Sequence, residues 1–199
     1  MRDKNNNKKE IELILEEIER TEPWDSNSLQ KILREHPKNG KGMYAKDELV
    51  HVYRRKQERG AKSKKVEDRI RMKPTRTNSG VAVVTVLTKP FPCPGNCIYC
   101  PNEENMPKSY IASEPGAQRA LANKFDPYAQ VFNRLMALKN VGHNIEKVEL
   151  IILGGTWSYY DKNYQLSFIH DCFRALNDVK ENSNNYVKPR EGELEKTNW

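Results

Sequence analysis

The sequence lacks the features that mark membrane-spanning or secreted proteins. None of its apolar runs approaches the ~20 residues that a membrane-spanning helix requires. The stretch from Met1 to Lys9 is rich in lysine and asparagine and has no apolar segment of the kind found in secretion signals. Only four cysteines are present, three of them clustered, which favours metal ligands in a reducing cytosol over a disulfide framework. These absences predict a cytoplasmic protein without a membrane partner.

The positive charge of the chain is concentrated in one stretch. The formal net charge is +7, and the window from residue 54 to residue 76 accounts for this excess, because eleven basic residues stand there against three acidic ones. Such a local excess is typical of a surface that binds a polyanion. The alternative is a solvated helix face, although the charges of such faces usually alternate in sign. The basic residues of this window are Arg54, Arg55, Lys56, Arg59, Lys62, Lys64, Lys65, Arg69, Arg71, Lys73 and Arg76.

The first third of the chain is predicted to be helical. Its first nine residues are polar and are expected to be disordered. Apolar residues at helical spacing predict a first helix from Glu10 and a third from near Lys46. Between them, a short second helix could be capped by Ser26 or Ser28.

Two short apolar runs, Val81–Leu87 and Val148–Leu153, are predicted to be buried parallel strands. One helix is predicted to begin at Gly116, and a second is predicted to begin after Asp126, which can cap it. A third is predicted from Asn163 to Leu176, with Phe168, Cys172 and Phe173 on its apolar stripe. A right-handed crossover between parallel strands brings their C-terminal ends to one edge of the sheet. The loops after the two strands are therefore expected to face each other.

The loop after the first strand contains Cys93, Cys97 and Cys100 at the spacing C-x3-C-x2-C. Structural zinc sites use four protein ligands, whereas three thiolates on a 4Fe-4S cluster leave one iron open to an exogenous ligand. The remaining cysteine, Cys172, is expected to lie in the protein core. The alternative is a structural metal whose fourth ligand is Cys172 or a histidine such as His170.

The cysteine spacing, with Tyr99 before the last cysteine, resembles that of radical S-adenosylmethionine (SAM) enzymes. Further motifs, from about residue 40 to about residue 177, resemble the catalytic subunit of Elongator and its single-chain bacterial and archaeal relatives, which modify the wobble uridine of tRNA. These motifs are Lys73–Ala82, Thr88–Pro90, Tyr99–Pro101, Ser109–Tyr110, Glu114–Pro115, Arg119–Ala120, Asp126–Tyr128 and Gly154–Thr156.

The resemblance implies an α/β fold, in which an N-terminal helical basic region is followed by the first βαβα units of an incomplete partial TIM-like barrel. Residues 1–77 would form the tRNA-binding region and residues 78–199 a partial radical SAM domain. The family continues with further βα units and an acetyltransferase-like domain, neither of which is present in this sequence. The chain is therefore expected to be the N-terminal part of such an enzyme, with the C-terminal portion or other subunits as partners.

The resemblance also implies a chemistry and a set of site residues. Cys93, Cys97 and Cys100 would ligate a 4Fe-4S cluster, and SAM bound to the open iron would be cleaved to a 5′-deoxyadenosyl radical. This radical would activate acetyl-CoA, the co-substrate, so that a carboxymethyl group is added to C5 of the wobble uridine. This activity is that of a transferase of the acyltransferase type. The implied cofactor-binding residues are Tyr99 at the adenine, Gly154, Gly155 and Thr156 at the amino group of SAM, and Lys147 at acetyl-CoA.

The basic residues between Arg54 and Arg76 would hold the tRNA, and no catalytic residue is assigned. Two alternatives remain open from the sequence. One is another radical SAM enzyme with a different substrate, and the other is an RNA-binding module with a structural metal and no catalysis.

Overall fold

The computed structural model describes residues 2–58, 60 and 62–181. Within these residues the chain forms seven α-helices, two short 3-10 helices and one parallel sheet of two strands. The chain divides into two compact units, one built from residues up to 80 together with 138–145, and the other from residues 81–137 and those from 146 onward. The α/β class expected from the sequence is confirmed, and the partial barrel stays a prediction.

The first unit is a helical assembly around one apolar core. Ile14, Ile18 and Leu49 are fully buried at its centre, and the third helix turns Leu49, Val50 and Tyr53 inward as its spacing predicts. Its elements are α1 (Arg2–Arg20), α2 (Ser28–Glu35), α3 (Lys46–Glu58), α4 (Lys64–Ile70) and a 3-10 turn at Pro74–Thr77.

Two local predictions for this unit are wrong, and one helix was not predicted. Helix α1 begins at Arg2, so the polar start of the chain continues the helix instead of being disordered. The N-cap position of α2 is Asn27 and not Ser26 or Ser28, and the carboxylate of Asp25 accepts the backbone N–H groups of Asn27 and Ser28 at 2.8 and 2.7 Å. Helix α4 was not predicted, because it is short and basic and buries only two apolar side chains.

The second unit contains the sheet. Strands β1 (Ala82–Leu87) and β2 (Val148–Leu153) pair in parallel, from Ala82 opposite Val148 to Leu87 opposite Leu153. Helices α5 (Pro115–Ala122) and α6 (Pro127–Asn140) lie between the strands in sequence, and the last three residues of α6 belong to the first unit. A 3-10 turn (Trp157–Tyr159) and α7 (Lys162–Glu181) follow β2. The two predicted strands and their parallel pairing are confirmed.

Helix α6 begins as predicted, since the Oδ1 atom of Asp126 accepts the backbone N–H of Ala129 at 2.6 Å. Helix α7 buries Phe168 and Cys172 as expected. The placement of Phe173 on the same buried stripe is wrong, because its side chain is 57% exposed while Ala175 and Val179 continue the stripe. None of the described helices is both long enough and apolar enough to cross a membrane.

Candidate functional site

The loops that follow the two strands lie against each other. Strand pairing extends one residue beyond β1, where the backbone N–H of Thr88 donates to the carbonyl of Leu153 at 2.9 Å. Further along, Sγ of Cys93 lies 3.2 Å from Oγ1 of Thr156. The prediction that the cysteine loop and the Gly-Gly-Thr loop face each other is therefore confirmed.

The cysteine loop gathers its sulfur atoms around a glycine. A Cβ atom placed on Gly95 would lie 3.8 Å from Sγ of Cys93 and 3.7 Å from Sγ of Cys97, so both sulfurs flank the space that the glycine leaves free. The backbone N–H of Cys100 donates to the carbonyl of Cys97 at 3.2 Å, and Sγ of Cys100 lies 3.4 Å from Oγ of Ser109. All three are free thiols.

The surroundings of Cys93 and Cys172 give these two thiols opposite properties. The pKa of Cys93 is lowered, first by the hydrogen bond from the side chain of Thr156 and then by the backbone N–H of Gly95. Burial within helix α7 raises the pKa of Cys172 to about 12. The thiolate, the form that binds metals, is therefore favoured at Cys93, whereas Cys172 is a protonated core residue.

The donor set on the loop fits a cluster that leaves one iron open, because three thiols are available there and Cys172 is buried elsewhere in the unit. In the part of the chain that the structure describes, however, no three His, Cys, Asp or Glu side chains are already arranged around a possible metal ion. The assignment of Cys93, Cys97 and Cys100 as cluster ligands therefore stays a prediction.

The Gly-Gly-Thr loop packs tightly at its first glycine and loosely at its second. A Cβ atom on Gly154 would overlap Oγ1 of Thr88 and lie 3.1 Å from its Cβ atom. A Cβ atom on Gly155 would make an ordinary contact with the Cβ atom of Lys108 at 3.5 Å. Glycine is thus sterically required at position 154, while the space at position 155 admits a methyl group.

Two tyrosines that sequence reasoning missed hold the start of the cysteine loop. The hydroxyl of Tyr160 lies 2.8 Å from Oγ1 of Thr88 and donates to the carbonyl of Lys89 at 3.0 Å. The backbone N–H of Lys89 donates to the hydroxyl of Tyr164 at 3.0 Å. The rings of Tyr160 and Tyr164 stack with centroids 5.2 Å apart. Aromatic residues at positions 160, 164 and 168, spaced by one helical turn, were the available signal.

Burial widens the pH range over which both tyrosine hydroxyls are protonated. It raises the pKa of Tyr164 to about 12 and also raises the pKa of Tyr160. At neutral pH both groups therefore remain able to donate and accept hydrogen bonds.

The other two predicted cofactor residues lie in different places. Tyr99 is on the cysteine loop, and its side chain is 92% exposed. Lys147 immediately precedes β2, and its carbonyl accepts the backbone N–H of Ala82 at 2.8 Å. This is the N-terminal end of the strand pair, and a six-residue strand rises about 20 Å. The structure does not bring Lys147 to the loops, so its role stays a prediction.

Several of the predicted tRNA-binding residues are engaged in contacts within the first unit. Arg69 donates to the carbonyls of Ile18 and Thr21 at 2.5 and 3.1 Å, where α1 ends, and its guanidinium lies over the ring of Trp24. Arg54 donates to a backbone carbonyl at 3.2 Å. The ion pairs of this region are Lys56 with Glu16, Lys65 with Glu22, Arg69 with Glu22, and Arg71 with Glu67 and Asp68.

The other basic residues of the window that the structure describes extend into solvent. Arg59 lies outside the described residues. The exposed basic side chains are those of Arg55, Lys62, Lys64, Lys65, Lys73 and Arg76, of which Lys65 is also paired with Glu22. These side chains are the ones available to a polyanion.

No family model matches this sequence, but individual proteins do. It is 50% identical over 105 residues to a tRNA uridine(34) acetyltransferase of Dehalococcoides mccartyi, a match that covers 53% of this chain and 23% of that protein. It is 39% identical over 183 residues to the protein of the same name from Methanocaldococcus jannaschii, covering 87% of this chain and 33% of the relative. It is also 41% identical over 119 residues to Elongator complex protein 3 of Schizosaccharomyces pombe, covering 54% of this chain and 22% of the relative.

The fold and the site define an α/β protein in which a three-cysteine loop and a Gly-Gly-Thr loop meet at the ends of two parallel strands. The sequence similarities give the particular family. The chain is a relative of the Elongator catalytic subunit family, and its matches span between 22% and 33% of the length of these three relatives.

Proposed function

We propose that this chain is the cofactor-binding and tRNA-binding part of an enzyme that modifies uridine 34 of tRNA. The observation that carries this proposal is the contact between the two loops, in which Cys93 and Thr156 approach to 3.2 Å. In this contact a loop with one exposed and two half-buried cysteines lies opposite a glycine-containing loop, next to the ends of parallel strands, where α/β proteins bind ligands. The names of the relatives supply the substrate and the reaction class, a transferase of the acyltransferase type acting on tRNA.

Cys93, Cys97 and Cys100 would hold a 4Fe-4S cluster through their thiolates, leaving one iron for SAM. When bound, the cluster would supply the electron that cleaves SAM reductively. The lowered pKa of Cys93 supports this role, because less proton release is needed for ligation. The space beside Gly95, flanked by Sγ of Cys93 and Sγ of Cys97, gives room for inorganic atoms at the loop.

The Gly-Gly-Thr loop would bind the other end of the cofactor. Backbone at Gly154 and Gly155 can approach a ligand closely because no side chain intervenes. Thr156 would orient its hydroxyl between the cofactor and Cys93. Tyr99, exposed on the cysteine loop, would cover the adenine and exclude water from it.

The exposed basic residues of the first unit would hold the tRNA by its phosphates, which positions an RNA without reading its sequence. Residues 1–77 would be the tRNA-binding region and residues 78–199 the partial radical SAM domain. Acetyl-CoA, with Lys147 as a contact, would be the source of the carbon atoms of the carboxymethyl group on C5 of the uridine. Acetyl-CoA binding and the remaining barrel strands would be supplied by the C-terminal portion or by other subunits.

A catalytically silent RNA-binding module with a structural metal is the second candidate. It requires a fourth protein ligand such as Cys172 or His170. Cys172 is completely buried, with a pKa of about 12, which opposes its use as a thiolate ligand. A different radical SAM enzyme is the third candidate, and only the substrate distinguishes it from the first.

The decisive experiment is anaerobic reconstitution of the full chain with iron and sulfide. We expect about four iron atoms and four sulfides per chain, and a change in the electron paramagnetic resonance spectrum of the reduced protein on addition of SAM. Alanine variants of Cys93, Cys97 and Cys100 should each lose most of this iron, while Cys172→Ala serves as the matched control and should retain it.

Stoichiometric zinc that depends on Cys172 or His170 would overturn the proposal in favour of the structural module. A full cluster whose spectrum does not respond to SAM would overturn the cofactor assignment. Filter binding of the same preparations to transcribed tRNA tests the substrate assignment separately, since it requires no cluster.

A further inference from the structure

The segment that joins β1 to the cysteine loop is fixed by two side chains that come after the Gly-Gly-Thr loop, Tyr160 between the 3-10 turn and α7, and Tyr164 in the first turn of α7. Both backbone polar groups of Lys89 are bound by tyrosine hydroxyls, the carbonyl by Tyr160 and the N–H by Tyr164, each at 3.0 Å. The ring of Phe91, two residues further on, stacks on the ring of Tyr160 with centroids 4.8 Å apart. Cys93 follows two residues after Phe91, so Tyr160 holds this segment at two points before the first cysteine.

Tyr160 is also tied to the Gly-Gly-Thr loop. A single 3-10 turn separates Tyr160 from Thr156, with the backbone N–H of Tyr160 donating to the carbonyl of Trp157 at 3.2 Å and that of Tyr159 donating to the carbonyl of Thr156 at 3.0 Å. The side chain of Gln165 donates to the carbonyls of Trp157 and Tyr160 at 2.9 Å each, which anchors this turn to helix α7.

Thr88 completes the arrangement. Its side chain is 1% exposed, its Oγ1 atom lies 2.8 Å from the hydroxyl of Tyr160, and the same atom occupies the space that a side chain on Gly154 would need. The hydroxyl pair therefore joins the end of β1 to the residue after the 3-10 turn, and Thr88 also packs against Gly154 at the start of the Gly-Gly-Thr loop. Buried hydrogen bonds of this kind favour a defined geometry, because removal of either hydroxyl leaves the other with one partner fewer in a dry environment.

We propose that Tyr160, through its hydrogen bonds to Thr88 and Lys89 and its stack on Phe91, is a positioning residue that sets the separation of Cys93 from Thr156. It touches neither reacting atoms nor cofactor. Its importance for catalysis rests on the proposed function, since the two loops would be the two walls of the cofactor site. The geometric part of the inference does not depend on any metal or cofactor.

The test is a disulfide trap in the metal-free protein. In a chain carrying Thr156→Cys, Cys97→Ser and Cys100→Ser, oxidised glutathione should form a disulfide between Cys93 and the cysteine introduced at position 156. Mass spectrometry at successive times gives the rate of disulfide formation. Addition of Tyr160→Phe retains the ring but removes the hydroxyl, and we expect the trap to form about tenfold more slowly. The matched control is Tyr159→Phe, whose side chain is half exposed and also contacts Phe91, at 6.1 Å between ring centroids; its rate should not change.

An unchanged trapping rate in the Tyr160→Phe chain would overturn the proposal, even if its thermal stability fell, because Tyr160 would then be a stabilising residue only. Should that variant fail to fold, as judged by circular dichroism, Thr88→Val decides the question in the same assay, because it deletes one of the paired hydroxyls without changing the size of the side chain. A slower trap in a folded Thr88→Val chain supports the proposal, and an unchanged rate contradicts it. Since no iron or SAM is present, the result is independent of whether the cluster assignment is correct.

Discussion

Cys93 and Thr156 are 63 residues apart in sequence, yet Sγ of the first lies 3.2 Å from Oγ1 of the second. Parallel pairing of β1 with β2 in register accounts for this proximity, because it ends both strands at the same edge of the sheet. The loops that leave that edge must then share one space.

Replacement of Gly154 by alanine should destabilise the protein by about 1–3 kcal/mol, the usual cost of forcing an extra methyl group into a packed site. The new Cβ atom would overlap Oγ1 of Thr88. Gly155→Ala is the matched control, since its Cβ atom would meet Lys108 at 3.5 Å, an ordinary contact distance. Urea unfolding of the two variants measures the difference.

The double variant Gly154→Ala with Thr88→Ala tests whether steric overlap with Thr88 causes the loss of stability in Gly154→Ala. Removing Oγ1 and Cγ2 of Thr88 relieves the overlap, so the double variant should lose less stability than the sum of the two single variants. If the losses of stability in the two single variants simply add in the double variant, the loss caused by Gly154→Ala arises from something other than contact with Thr88.

Alkylation should distinguish the cysteines of the native, metal-free chain. Iodoacetamide at about pH 8 should modify Cys93, Cys97 and Cys100 rapidly and leave Cys172 unmodified until the protein unfolds, because reactivity follows the exposed thiolate. Cys172 is fully buried and its pKa is raised to about 12, so it is a protonated thiol at this pH. Peptide mass spectrometry identifies the modified positions. Fast native labelling of Cys172 would contradict its placement in the core.

Arg69→Ala should reduce the stability of the first unit by about 1.5–3 kcal/mol, the range for a hydrogen bond from a charged donor whose partners become unsatisfied. The side chain of Arg69 is only 9% exposed, and it donates to the carbonyls of Ile18 and Thr21 where α1 ends. Arg55→Ala, an exposed change in the same basic window, should alter stability by less than about 0.5 kcal/mol. Thermal unfolding compares the two. Equal losses would mean that Arg69 has no special structural role.

Lys64→Ala should weaken tRNA binding and reduce the slope of log K against log salt concentration by about one, as expected for the loss of one phosphate contact. Lys64 is exposed at the first position of α4. Lys31→Ala on α2, an exposed lysine outside the basic window, is the control and should leave the slope unchanged. Electrophoretic mobility shifts at several salt concentrations provide the slopes. Equal slopes for the two variants would place the RNA elsewhere on the protein.

Much of the fold followed from hydrophobic periodicity. The two strands, the Asp126 cap and the inward faces of α2 and α3 have strong local signals, since each depends on apolar spacing or on one side chain beside a helix end. Helix α4 and the early start of α1 were missed because their sequences are polar, and pattern reasoning depends on apolar residues.

The basic window shows a different limit of the sequence. Only three acidic residues lie within it, which suggested that its charges were unpaired. Two of the residues that neutralise them, Glu16 and Glu22, come from α1 or the residues just after it, more than thirty positions earlier in the chain. Charge counting along the sequence cannot reveal partners that the fold brings from a distant segment.

By itself the sequence determined the apolar elements and the chemical groups: a cysteine trio at fixed spacing, a Gly-Gly-Thr turn after an apolar strand, and an excess of positive charge between Arg54 and Arg76. Only the tertiary structure decided which of these groups meet. In the folded chain Thr156 lies against Cys93, while Lys147 lies at the opposite end of the strand pair. Arg69 packs against the end of α1, and the hydroxyls of Tyr160 and Tyr164 bind the backbone of Lys89. The physical reason is that residue type and spacing govern local hydrogen bonding and burial, whereas long-range contacts depend on how the strands and helices pack.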